Sequence, residues 1–347
     1  MKQITVNASR RYEIRIGSGL LDCCGTAIAE AAGGQTAVVV SDDHVAPLYL
    51  ERVRTSLQKA GYRVLCHVIE HGEASKDAAH YIALVEFLAA SRLTRSDVLV
   101  ALGGGVVGDL TGFAAATYLR GIAYVQIPTS LLAMVDSSVG GKTAIDLSAG
   151  KNLLGSFYQP SLVLCDPDLL STLPPLFFSD GCAEIVKYGM IADADLFATL
   201  ERDGMSNPEE VIARCVTIKR DIVEEDEHDC SIRQLLNFGH TVGHAIEAES
   251  HFTISHGHAV AMGMAAVTRA AAARGMCDRG SIDRLEGLLA AFSLPDALPY
   301  PITTLCSAMC SDKKRSGDRI TLIVPECVGR CIPHTLPIDE LSAFLTE

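Results

Sequence analysis

The sequence holds no C-x-x-C spacing, although twelve cysteines are scattered along its 347 residues. In a chain of this size without a secretory signal they read as reduced, mostly buried thiols. Cations are scarce as well, with 29 Lys and Arg against 42 Asp and Glu, for a net charge of −13. That imbalance excludes nucleic acid and anionic membranes as expected partners. It leaves room for a small anionic substrate, because a local Lys/Arg cluster overrides a distant acidic surface. No run of about 20 apolar residues is free of charge or glycine breaks, so no membrane span is expected. The opening Met1-Lys2-Gln3-Ile4-Thr5-Val6 followed by Arg10-Arg11 lacks the apolar stretch of a secretory signal. The expectation is a cytoplasmic protein. Internal repeats and low-complexity segments are also missing.

What is present is a chain that is 48% apolar, long enough for two domains and a large core. Its first part alternates strand and helix signals. Period-two alternation marks 12–17. Apolar β-branched runs mark 36–42, 63–69, 97–102 and 123–128, with helical patterns over 48–60 and 77–91. Such alternation predicts a parallel α/β sheet whose ligands lie at the carboxyl ends of its strands. After residue 171 the texture changes, and long helical patterns run from Ser179 through Ala291. The break falls near Asp166-Pro167-Asp168 and Pro174-Pro175. It predicts an α/β domain over 1–170 and a helical domain over 171–347, with a late strand at 319–325.

The run Leu236-Asn237-Phe238-Gly239-His240-Thr241-Val242-Gly243-His244-Ala245-Ile246-Glu247 sets two imidazoles four residues apart, on one face of a helix. Neutral imidazole is both a metal ligand and an acid/base near neutral pH. The metalloprotease pattern is excluded, since Thr241 stands where that motif needs Glu. Glu184 and Lys187 sit three apart on an otherwise apolar helix, a costly arrangement unless the charges are used or paired. With His256, Glu184 and His240 form a candidate two-histidine, one-carboxylate metal set. Cys306/Cys310 and Cys327/Cys331 are two C-x-x-x-C pairs that could form a structural zinc site, or simply pack at strand ends.

Gly103-Gly104-Gly105-Val106-Val107-Gly108-Asp109 follows a strand and opens a helix. Glycines there let backbone N–H groups approach a pyrophosphate. The ribose carboxylate expected about 20 residues further on is missing; Asp42, ending an earlier strand, can serve instead. The segment Asp136 to Thr143 imitates a phosphate-binding loop but lacks its register. Arg120, Lys142 and Lys151 cluster in the Gly-rich region and suggest a substrate carrying phosphate or carboxylate.

Taken together, these stretches resemble the 3-dehydroquinate synthase family. The resemblance runs from about Tyr12 to Gly329. It is carried by Gly72-Glu73-Ala74-Ser75-Lys76, the Gly103–Asp109 turn, Pro128-Thr129-Ser130-Leu131-Leu132-Ala133-Met134-Val135-Asp136, Gly140-Gly141-Lys142-Thr143-Ala144-Ile145-Asp146, Gly150-Lys151-Asn152, Ala183-Glu184-Ile185-Val186-Lys187-Tyr188-Gly189 and Asn237 to His244. It implies a Rossmann-like NAD domain and a helical metal domain, with the active site in the cleft between them. It places one divalent metal, zinc or cobalt, on Glu184, His240 and His256, which makes His244 an acid/base group rather than a ligand. NAD is implied to meet Asp42, Glu73, Lys76, Gly104, Gly105, Asp109, Thr129, Ser130 and Lys151. A sugar-phosphate substrate is implied to meet Arg120, Lys142, Asn152, Lys187, Lys219, Arg233, Asn237 and Lys313. The implied catalytic groups are His244, Lys142, Lys187, Asp136 and Asp229. Arg120's family equivalent reaches across from a second subunit, which implies a homodimer.

The chain departs from the family at three positions. His44 replaces Asn, Asp229 replaces a Glu that serves as proton acceptor, and His258 replaces a Glu after His256-Gly257. Three other readings compete: another sugar phosphate cyclase, a metal-dependent polyol dehydrogenase, and a non-enzymatic NAD-binding protein of the same fold. The cation cluster and the buried charges disfavour the last two.

Overall fold

The computed structural model describes residues 1–310 and 318–346. The chain divides into two compact units, Met1–Leu173 with Pro208–His228, and Pro174–Asn207 with Asp229–Glu347. The cut expected at 170/171 falls three residues before the break after Leu173, and the segment 208–228 returns to the first unit.

The first unit begins with β1 (Lys2–Asn7), β2 (Arg11–Ile16), α1 (Cys24–Ala32), β3 (Thr36–Asp42), α2 (Ala46–Lys59), β4 (Arg63–Ile69) and α3 (Ala78–Ala90). It continues through β5 (Val98–Gly103), α4 (Gly105–Thr117), β6 (Ala123–Pro128), β7 (Lys142–Leu147), β8 (Gly150–Phe157) and β9 (Leu162–Cys165). The main sheet runs β1-β2-β9-β6-β5-β3-β4, parallel except for the β1–β2 pair. Every residue of β5 is buried and β3 carries Val38-Val39-Val40 at its centre. Such runs suit strands covered on both faces. In β2, buried Tyr12, Ile14 and Ile16 alternate with partly exposed Glu13 and Arg15, as one-sided burial dictates. Leu84 and Leu88 of α3 and Leu110 and Ala114 of α4 close one core over Val38, Val40, Leu99 and Ala101. The sequence reading missed β7 and β8, which pair as an antiparallel hairpin apart from the main sheet.

The second unit contains α5 (Pro175–Ala192) and α6 (Ala194–Asp203). The chain then passes through α7 (Pro208–Glu225), which packs in the first unit against β1. It resumes with α8 (His240–Glu249), α9 (His256–Ala273), α10 (Gly280–Ala291), α11 (Ile302–Cys310), β10 (Arg319–Cys327), β11 (Arg330–Pro337) and α12 (Leu341–Leu345). The late strand thus has an antiparallel partner, β11. Helix α9 packs on both α8 and α5. Gly239, with φ of +78°, lets α8 start close to α9: a Cβ there would meet Met264 Cγ at 2.5 Å and the Val260 carbonyl oxygen at 2.7 Å.

Candidate functional site

Two groups of candidate residues emerge, one in each unit. In the second, α5 supplies Glu184, α8 supplies His240 and the first turn of α9 supplies His256. Glu184 is fully buried, and its Oε1 accepts no hydrogen bond. That oxygen lies 3.4 Å from Nε2 of His240 and 3.4 Å from Nε2 of His256. The other ring nitrogens are engaged, His240 Nδ1 3.1 Å from the Phe238 carbonyl oxygen and His256 Nδ1 3.1 Å from Glu247 Oε2. An imidazole held at Nδ1 by an acceptor presents the Nε2 lone pair to a metal. The ligand atoms of Glu184, His240 and His256 lie within 4.8 Å of one another.

The electrostatics suit a cation. Burial opposes the Glu184 carboxylate, but Lys187 and then His240 outweigh it and hold the carboxyl well below its usual range. Burial lowers His240. Burial also disfavours the His256 imidazolium, yet Glu184 and Glu247 prevail and push it up to about 10. A divalent cation would take the place of that proton. Buried acceptor, convergent nitrogens and oriented rings together fit such an ion.

Lys187 pairs with Glu184, and both side chains are buried. His244 stands beside this group, its ring centroid 5.5 Å from that of His240 and 6.0 Å from that of His256. His244, Glu247 and His256 also bring ligand atoms within 4.8 Å of one another. The His240/His244 face read from spacing is therefore real, but each imidazole has a different neighbourhood. Sequence reasoning assigned no role to Glu247. Its signal was a buried carboxylate seven residues after His240, two turns along the same helix face. Arg233 and Asn237 lie on the short helical turn Ile232–Asn237 that leads into α8. Asp229 precedes them in the left-handed region, with φ of +61°. His258 turns its Nδ1 to Asp180, 2.9 Å away. Among the described residues no cysteine joins a group of three metal-ligating side chains. Lys313 and Lys314 lie outside the described residues.

The first unit holds a second group at the carboxyl ends of its strands. Gly104 is extended and caps the start of α4 without a side chain. A Cβ on it would stand 3.6 Å from Ser130 Oγ, and one on Gly105 would stand 3.3 Å from Ser137 Oγ. The Thr129 N–H donates to the Gly103 carbonyl at 3.0 Å, which brings the end of β6 beside this turn. Bare backbone at a helix start, edged by hydroxyls, fits a phosphate. Lys76 is buried, its Nζ 2.6 Å from Asp109 Oδ2 and 2.5 Å from Asn152 Oδ1. Burial pulls the Lys76 pKa down, but Asp109 and Glu73 outweigh it and raise it. Glu73 Oε1 lies 3.9 Å from Lys76 Nζ and 3.7 Å from Lys151 Nζ. Asp42 ends β3 and accepts N–H bonds from His44 and Val45, each at 2.9 Å. Lys219 of α7 is buried against Asp136. Lys142 and Arg120 are exposed, and Arg120 follows Leu119 in two successive left-handed residues.

Comparison with known proteins defines the class. The structure of 2-deoxy-scyllo-inosose synthase complexed with carbaglucose-6-phosphate, NAD⁺ and Co²⁺ matches with a TM-score of 0.90 and 25% identity, covering 99% of each chain. The structure of 2-epi-5-epi-valiolone synthase from Streptomyces hygroscopicus, with NAD⁺ and Zn²⁺ bound, matches with a TM-score of 0.88 and 27% identity over 99% of this chain and 98% of that one. These neighbours are sugar phosphate cyclases.

Two family models extend the match, 3-dehydroquinate synthase N-terminal over residues 66–180 and 3-dehydroquinate synthase C-terminal over 181–315. The 3-dehydroquinate synthase of Clostridium kluyveri is 42% identical over 99% of this chain and 98% of its own. That of Streptococcus gordonii is 44% identical over 97% of each. The chain belongs to the 3-dehydroquinate synthase family.

Proposed function

We infer that the chain converts 3-deoxy-D-arabino-heptulosonate 7-phosphate to 3-dehydroquinate and inorganic phosphate, with NAD and one divalent metal as cofactors. Family membership over 99% of the chain supports the reaction. The structural observation that carries it is the buried Glu184 Oε1, which accepts no hydrogen bond and faces two imidazole nitrogens at 3.4 Å. When bound, NAD would supply a reversible hydride acceptor for the substrate's C5–OH carbon, and the metal ion would supply Lewis acidity at that oxygen.

The chain's own residues do the rest. Glu184, His240 and His256 hold the ion. Gly104 and Gly105 offer open backbone to the pyrophosphate, with Thr129 and Ser130 at its edge. Asp42 meets the ribose, while Glu73, Lys76, Asp109 and Lys151 set the cofactor's polar contacts. Lys142, Lys187, Asn152, Lys219, Arg233, Asn237 and Lys313 bind the substrate's phosphate and carboxylate. Fixed cations there stabilise the phosphate as it departs with the C–O bond electrons. His244, within reach of the metal imidazoles, moves the C5–OH proton. Asp229 accepts a proton in place of the longer Glu usual in the family, and Asp136 orients Lys219. Arg120 serves the site of a second copy, so the enzyme works as a homodimer. Among the described residues no helix is long and apolar enough to cross a membrane. We place the enzyme in the cytoplasm, where thiols such as Cys24, Cys165 and Cys182 stay reduced.

The substrate assignment is tested by competition. Turnover of the heptulosonate phosphate, with none of sedoheptulose 7-phosphate, is expected. The reverse preference would make the chain a different cyclase. Sedimentation should give a dimer, and a monomer with full activity would remove the role given to Arg120.

A further inference from the structure

Helix α9 begins against α5 at a single carboxylate, and we propose that Asp180, with His258, positions the metal centre by fixing His256 relative to Glu184. The proposal rests on the reading of Glu184, His240 and His256 as the ligands of a divalent ion. Asp180 is buried and lies four residues before Glu184, one turn away on the same face of α5. Its Oδ1 accepts three hydrogen bonds from the start of α9: Ser255 Oγ at 2.7 Å, the His258 backbone N–H at 3.1 Å, and His258 Nδ1 at 2.9 Å. Ser255 Oγ is also 3.0 Å from His258 Nδ1. That ring nitrogen faces a carboxylate and a hydroxyl, so it carries the proton.

Helix starts leave N–H groups without intrahelical partners, and a residue at the cap position usually satisfies one. Ser255 occupies that position in α9 but makes no such bond. The cap comes instead from another helix, and its negative charge suits the positive end of α9. Gly257, between His256 and His258, tightens the joint further. A Cβ on Gly257 would lie 2.3 Å from Asp180 Cα and 2.4 Å from its carbonyl oxygen. Main chain meets main chain there, as only glycine permits. His256 is therefore flanked on both sides by residues tied to Asp180, on the helix that supplies Glu184. Metal–ligand distances must be met to within about 0.2 Å, so a joint that sets two ligands together bears on affinity. The same joint accounts for His258. Where a carboxylate is usual on α9, the imidazole takes its place and α5 supplies the carboxylate.

The test uses the full-length protein and the variants Asp180→Ala, Asp180→Asn and His258→Ala, with Glu184→Gln as reference. Zinc affinity is read by competition with a chromophoric chelator, ligand geometry by the visible spectrum of the cobalt-loaded protein, and the dinucleotide site by NAD⁺ affinity. Asp180→Ala should weaken zinc binding by roughly 10–100-fold, the range for partners that orient ligands, and alter the cobalt spectrum at unchanged NAD⁺ affinity. Asp180→Asn, which keeps an acceptor oxygen, should lose less, and His258→Ala should fall between. Wild-type zinc affinity and cobalt spectra in these variants would overturn the proposal even if their melting points fell, because Asp180 would then only join two helices. If Asp180→Ala does not fold, the other two decide on the same readouts. Wild-type zinc affinity in Glu184→Gln would instead overturn the ligand assignment itself.

Discussion

Lys219 Nζ lies 2.8 Å from Asp136 Oδ1 and 2.7 Å from the Asp136 carbonyl oxygen, across 83 residues of sequence. The pair fastens α7 to the turn after β6, and Lys219 is almost wholly buried there. Replacing Lys219 by Met removes the cation beside a mostly buried carboxylate. Stability should fall by about 1–3 kcal/mol, read as a lower urea midpoint at unchanged m-value. Asp136→Asn should cost less in the Lys219→Met background than in the wild type. Additive losses would show that the two do not interact.

Glu247 orients His256 without belonging to the proposed ligand set. Glu247→Gln keeps the shape of the side chain and removes the charge that holds the Nδ1 proton. Zinc affinity should fall by roughly 10–100-fold, measured by chelator competition. Glu184→Gln, which removes a ligand, should lose more than Glu247→Gln. The opposite ranking would favour the set formed by His244, Glu247 and His256.

Gly104 offers a test of the dinucleotide cradle that separates binding from folding. Its φ of −77° is open to any residue, and a Cβ there would make only ordinary contact with Ser130 Oγ at 3.6 Å. Gly104→Val should therefore change stability by no more than about 1 kcal/mol. It should raise the dissociation constant for NAD⁺ at least about tenfold, by keeping the pyrophosphate off the backbone. Unchanged NAD⁺ affinity by calorimetry would place the cofactor elsewhere.

Much of this was legible in the sequence. Strands β3, β4, β5 and β6 announced themselves as apolar β-branched runs, and their carboxyl ends carry Asp42 and the Gly103–Gly105 turn. Glu184, His240 and His256 could be grouped because charge and imidazole are conspicuous on apolar helices. The return of α7 to the first unit could not be read, since it depends on packing between residues far apart in the chain. The β7–β8 hairpin was hidden because its glycines and lysines imitate a phosphate loop. Asp180 drew no notice because its partners, Ser255 and His258, come together with it only when α9 packs on α5.

Asp97 supplies the pH dependence. Burial works against its charged form, but N–H donors on Thr94 and Thr36 outweigh it and hold the carboxyl below its usual value of 3.8. A depressed folded-state pKa contributes stability above the unfolded value and loses it as pH falls through the folded one. Stability should therefore decline below about pH 4, and Asp97→Asn should flatten that decline while lowering stability near neutrality by about 1 kcal/mol. Urea midpoints across the acid range check both. An unchanged acid limb in the variant would remove Asp97 as its source.

The central claim is a dinucleotide that is reduced and reoxidised within one turnover, in a reaction that also needs a metal held by Glu184, His240 and His256. The direct measurement follows phosphate, 3-dehydroquinate and NADH absorbance together, in metal-stripped protein given NAD⁺, heptulosonate phosphate and then zinc. The account predicts that zinc starts phosphate release and carbocycle formation in equal amounts with no lasting NADH, and that Glu184→Gln abolishes both. NADH accumulating with product would contradict it and make the protein a dehydrogenase.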